Sequence, residues 1–120
     1  MDAEYIDTLP FNVFKGGYAG TVLLHRDTMP LAANVNREMV IVTDGCNAIG
    51  GDIYADQACT LQLSVSPDGD NYGMPSELNV PAGEMVRFEY PGLFARTVKL
   101  VATNGATPMT VFRLFVRGGS

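Results

Sequence analysis

One histidine and two cysteines among 120 residues leave this chain a narrow range of chemistry. His25, between Leu24 and Arg26, is the sole imidazole, and no acid or nucleophile motif around it would orient it as a general base. It is read as a surface or interface residue. Cys46 and Cys59 flank a Gly-rich segment, and a hairpin there would bring the thiols together. Two sulfurs with no histidine nearby fall short of the four ligands of a tetrahedral zinc site. The N-terminal Met1-Asp2-Ala3-Glu4 is acidic where an export signal would be basic, so two small buried thiols are expected rather than a disulfide. The sequence contains no GxSxG elbow, no GxxxxGK[ST] phosphate loop and no dinucleotide fingerprint before a helix. The expectation is a protein that is not an enzyme and carries no metal or cofactor.

The strongest candidate for ligand chemistry is the loop Ser66-Pro67-Asp68-Gly69-Asp70-Asn71-Tyr72. Asp68, Asp70 and Asn71 offer hard oxygens of the kind calcium takes, but the later bidentate carboxylate of an EF-hand is missing. Asp and Asn are also the usual turn residues, because their short side chains bond to nearby backbone. Asp68 and Asn71 beside Tyr72 would alternatively form a sugar-binding tip with an aromatic platform. Turn structure is the plainest reading of the loop.

The elements that hold this loop are strands. Leu61, Leu63 and Val65 alternate with Gln62, Ser64 and Ser66, which gives a strand with one buried face. Val86, Phe88 and Tyr90 alternate in the same way with Arg87 and Glu89. Further strands are expected at Thr97 to Thr103 and Thr110 to Arg117, joined at Asn104-Gly105, a pair suited to a tight hairpin. The C-terminal half therefore predicts an antiparallel meander. Upstream, Met39 to Thr43 is a continuous apolar run, as in a strand covered on both sides. Ile49 to Tyr54 and Glu77 to Val80 are shorter candidates. About seven or eight strands with turn signals roughly every 8–12 residues predict an all-β fold, an antiparallel β-sandwich or jelly roll. No helical spacing is sustained.

Residues 1–32 read differently. Pro10, Gly16-Gly17 and Pro30 interrupt the apolar clusters Tyr5-Ile6, Phe11-Val13-Phe14 and Val22-Leu23-Leu24. This region is either an extended arm, packed on its own sandwich or on a neighbouring subunit, or a pair of edge strands; residues 33–120 form the sandwich domain. In the last strand Phe112, Leu114 and Val116 occupy one face, and Val111, Arg113, Phe115 and Arg117 the other. Aromatics and arginine are enriched at protein interfaces, so Val111, Arg113, Phe115 and Arg117, with Phe11 and Phe14 of the arm, are the candidate interface residues. A net charge of −5 opposes nucleic-acid binding, and no apolar run approaches the ~20 residues of a membrane span. The chain is expected to be soluble and made in the cytoplasm.

The succession Leu61 to Tyr72, then Val80-Pro81-Ala82-Gly83, then Ala95 to Gly105 is similar to small β-sandwich modules of tailed-bacteriophage virion proteins. In those a strand ends in a Ser-x-Asp-Gly-x-Asn-aromatic turn, and a later strand carries an aromatic, an arginine and a terminal asparagine. The resemblance spans residues 57 to 117. It implies a capsid decoration (cement) protein, or another head-associated protein, bound as a homotrimer to the major capsid protein lattice. The implied location is the capsid surface of a virion assembled in the host cytoplasm. The competing expectation is a carbohydrate- or receptor-binding module, with Asp68, Asn71 and Tyr72 at its tip.

Overall fold

A computed structural model describes residues 21–119, and these form eight strands with no helix. They are β1 (Thr21–Asp27), β2 (Asn36–Val42), β3 (Ala48–Ala55), β4 (Cys59–Ser66), β5 (Ser76–Val80), β6 (Val86–Tyr90), β7 (Thr97–Asn104) and β8 (Phe112–Gly119). Two four-stranded antiparallel sheets, ordered β1-β8-β3-β6 and β2-β7-β4-β5, face each other. Successive strands thus alternate between sheets, except at the β4-β5 pair, and the result is a jelly roll. The expectations for Phe11, Phe14 and the rest of the upstream segment lie outside the described residues. Thr21–Asp27, read in the sequence as part of an arm or an edge strand, is β1, and Leu31 is buried in the core. The packing of the sandwich therefore extends upstream of residue 33.

The period-2 alternation produces the core directly. Ile49, Ile53 and Ala55 of β3, Leu61 and Leu63 of β4, Val98, Leu100 and Ala102 of β7, and Phe112, Leu114 and Val116 of β8 all point between the sheets. Each large aliphatic or aromatic side chain shut away here contributes roughly 1.5–3 kcal/mol of transfer free energy.

Two expectations change. The C-terminal half is not a meander: β7 and β8 belong to different sheets, and Asn104-Gly105 opens a crossover instead of a hairpin. The buried Asn104 side chain is the reason. Its Nδ2 donates to the carbonyl oxygens of Leu31, Ala32 and Thr107, while its Oδ1 accepts from the Gly105 N–H at 2.8 Å. These bonds draw the chain over the end of the sandwich. Nor is the run Met39 to Thr43 covered on both sides. β2 lies at the edge of its sheet, Met39 and Ile41 face the core, and Val40 and Val42 are 54% and 65% exposed.

The β1 and β2 edges lie on the same side of the sandwich. Arg37 ties them, its Nη1 meeting the Asp27 carboxylate at 2.7 Å and the Met29 carbonyl oxygen at 2.8 Å.

Candidate interaction surface

The outer face of the β1-β8-β3-β6 sheet collects arginine and aromatic side chains from all four strands. The registers place Arg26, Phe115, Asp52 and Arg87 side by side in one row across β1, β8, β3 and β6. Arg113 and Tyr54 form the adjacent pair, with the guanidinium carbon 5.1 Å from the ring centroid. On the other side of the row, Leu23, Arg117, Gly50 and Glu89 align. Arg87 Nε donates to the Asp52 carboxylate at 3.0 Å, and Arg117 Nε donates to the Thr21 hydroxyl at 2.9 Å. Half of the chain's eight basic residues therefore stand on one sheet face of an acidic protein.

Of the residues singled out in the sequence, Arg113, Phe115 and Arg117 share this face, and Val111 precedes β8 in the crossover from β7. Arg26, Tyr54 and Arg87 were not singled out, because the register that brings them to Phe115 and Arg113 joins strands distant along the chain. β8 itself is an inner strand, bonded to β1 and β3. It has no backbone edge to offer a partner, so only its outward side chains are available for contact.

The loop at Pro67 to Tyr72 is a self-contained turn. The Asp68 carboxylate accepts from the backbone N–H groups of Asn71 and Asp70, from the Asn71 side-chain amide at 2.7 Å and from the Ser66 hydroxyl at 2.9 Å. Those donors, the Asn71 N–H foremost, hold its carboxyl well below the usual carboxylate range. Gly69 takes a positive φ of 91°, a conformation glycine adopts without steric penalty. Tyr72 folds back beside the other sheet, where its hydroxyl and that of Thr97 share a 2.8 Å hydrogen bond. The Lys99 ammonium lies 4.3 Å from the ring centroid, so one aromatic face is already occupied. The Asp68 carboxylate and the Asn71 side-chain amide are thus bonded to each other, while the Tyr72 hydroxyl is turned to Thr97.

The remaining candidates sit apart. His25 lies on the inner side of β1, opposite Val116, and its Nε2 is shut from solvent with no hydrogen-bond partner. Cys46 precedes β3 while Cys59 belongs to β4 in the opposite sheet; both thiols are free, and burial pushes both pKa values up. Among the described residues no group of three or more His, Cys, Asp or Glu side chains is placed to hold a metal, and no helix is long and apolar enough to cross a membrane.

No family model and no curated protein matches the chain by sequence. By structure it resembles the PBSX exported protein XepA, with a TM-score of 0.72 at 20% identity, over 94% of this chain and 40% of XepA. This chain therefore corresponds to less than half of that protein. TmCBM61, solved in complex with β-1,4-galactotriose, aligns with a TM-score of 0.49 at 13% identity, over 86% of this chain and 88% of that one.

Proposed function

We propose that this chain is a non-enzymatic structural protein of a tailed-phage virion, a decoration protein that docks on the major capsid protein lattice through the outer face of the β1-β8-β3-β6 sheet. The observation that carries the reading is the row Arg26, Phe115, Asp52 and Arg87 with its neighbours Arg113 and Tyr54. Arginine and aromatic side chains on a rigid sheet are what interface cores favour, because they bury large areas with few rotors to immobilise. In a chain of net charge −5, such a face selects an acidic partner surface and disfavours a copy of itself. The order of the turn motifs from Leu61 to Gly105, which resembles that of phage virion modules, supports a phage context, and the fold is one shared with the PBSX exported protein XepA.

The test is co-sedimentation of the purified chain with capsids of its own phage that lack it. Saturable binding that weakens in Arg26→Glu/Arg113→Glu is the expected result. Capsids that bring down no protein would overturn the reading. A glycan array separates off the carbohydrate-binding alternative, which predicts a signal that disappears in Tyr72→Ala.

A further inference from the structure

The outer face of the β2-β7-β4-β5 sheet carries a counterpart to the arginine row on the other sheet. The registers align Glu38, Val101, Gln62 and Glu77 side by side across β2, β7, β4 and β5. Both rows have exposed charged ends and half-buried middles: Arg26 and Arg87 flank Phe115 and Asp52, while Glu38 and Glu77 flank Val101 and Gln62. Strands lie about 4.8 Å apart, so in each row the charged ends are separated by roughly 14 Å. The spacings match and the signs are opposite. Neither glutamate has an ion-pair partner among the described residues.

We infer that the chain stacks on itself, the arginine face of one copy resting on the Glu38/Glu77 face of the next. The arginine face repels its own like, but the back of a second copy supplies the acidic surface it selects. Two alignments keep the strands of facing sheets in line. Simple translation lays β2 over β1, which pairs Arg26 with Glu38 but opposes Arg117 to Lys99. Half a turn in the sheet plane lays β5 over β1 and β2 over β6 instead. Arg26 then meets Glu77, and Arg87 meets Glu38. On one side of this row Arg117 faces Thr60 and Glu89 faces Asn36. On the other side Tyr54 faces Lys99, and Met85, one step beyond the β3-β6 register, faces Val40. That last contact covers two apolar side chains that are 63% and 54% exposed. The turned alignment opposes no like charges. Because it joins two unlike faces it is a head-to-tail contact that does not close, and every stack keeps one free arginine face at its end.

Sedimentation velocity of the full chain over about two decades of concentration tests this, since association follows mass action. Salt near 0.1 M, with a Debye length of about 10 Å, screens the net charge of the copies while leaving close pairs in force. The wild type is expected to associate, and less so as salt is raised. Arg26→Glu and Glu77→Lys are each expected to weaken association by about threefold or more. The double variant Arg26→Glu/Glu77→Lys is expected to recover it, because every contact in its stack again pairs opposite charges. Both positions are exposed, so thermal midpoints close to wild type are expected for all three variants. A wild type that stays monomeric throughout overturns the inference. Association that neither single substitution weakens overturns it as well, and so does a double variant that associates less than both singles. Glu77→Lys leaves the arginine face intact, so a failure to stack says nothing against capsid docking, which co-sedimentation reads separately.

Discussion

The side-chain amide of Asn104 donates to the carbonyl oxygen of Leu31 at 3.2 Å, joining the end of β7 to a segment 73 residues earlier. The same amide serves Ala32 and Thr107, so one buried side chain, 4% exposed, pins both the β1-β2 connection and the β7-β8 crossover. Removing it strands several backbone acceptors away from water. Asn104→Ala is expected to cost about 2–4 kcal/mol, because unsatisfied buried groups cost more than a hydrogen bond contributes. Asn104→Asp is expected to do no better, since a carboxylate cannot donate. Urea unfolding of the two variants checks this, and a loss under ~1 kcal/mol for both would remove Asn104 from its structural role.

Gly51 provides a second, sharper test. A Cβ built there falls 2.1 Å from the Phe115 carbonyl oxygen and 2.8 Å from the Phe88 ring. Backbone stands in the way, so the β3-β8 ladder would have to part. At the neighbouring Gly50 the nearest approach is 3.1 Å, to the Phe88 carbonyl oxygen, and a small shift relieves it. Gly51→Ala is expected to lower stability by about 3 kcal/mol or more and Gly50→Ala by about 1 kcal/mol or less, within the range known for overpacking. Comparable losses at the two sites would contradict the close approach of β3 and β8.

These sites mark the limit of what local pattern reveals. Strands β4, β6, β7 and β8 were legible because Leu61-Leu63-Val65, Val86-Phe88-Tyr90, Val98-Leu100-Ala102 and Phe112-Leu114-Val116 alternate with period 2, which is a property of a single strand. Their order was not legible. Whether Asn104-Gly105 turns a hairpin or opens a crossover depends on Leu31 and Ala32, far upstream. Val40 and Val42 misled for a related reason: an unbroken apolar run looks the same in an edge strand with an open face as in a strand buried on both sides. Half of the arginine face was visible in β8, where Arg113, Phe115 and Arg117 alternate. The other half, Arg26, Tyr54 and Arg87, exists only through the register.

The turn at Asp68 makes stability depend on acid. Its folded pKa is depressed by the Asn71 and Asp70 N–H groups, the Asn71 amide and the Ser66 hydroxyl. Asp56 is depressed as well, first by the Thr110 hydroxyl and then by the Val111 N–H. A carboxyl that titrates lower when folded stabilises the fold above its unfolded pKa of about 3.9, and that contribution is lost as pH falls below it toward the folded value. The gap between wild type and Asp68→Asn is therefore expected to be wide at pH 7 and to shrink steadily below about pH 4. Urea midpoints at a series of pH values measure it. A gap that stays constant down to pH 2 would mean that the carboxylate charge contributes nothing to the turn.

The arginine face predicts a particular dependence on salt and charge. Arg26 and Arg113 are exposed, while Phe115, cross-strand neighbour of Arg26, and Tyr54, cross-strand neighbour of Arg113, are half-buried, so a partner that covers the rings must also neutralise the guanidinium groups. Exposed charges interact over a Debye length of about 10 Å at 0.1 M salt, which makes the capture of an acidic lattice sensitive to ionic strength. Arg26→Glu/Arg113→Glu is expected to weaken capsid binding at least tenfold, about 1.4 kcal/mol, and to flatten its salt dependence. Phe115→Ala should instead weaken binding by a factor that salt does not change, because what it removes is apolar area. Both are surface changes, and the thermal midpoint of the charge variant is expected to stay close to wild type. Binding that survives charge reversal, or a loss that merely follows a fall in thermal stability, would place the docking surface elsewhere on the molecule.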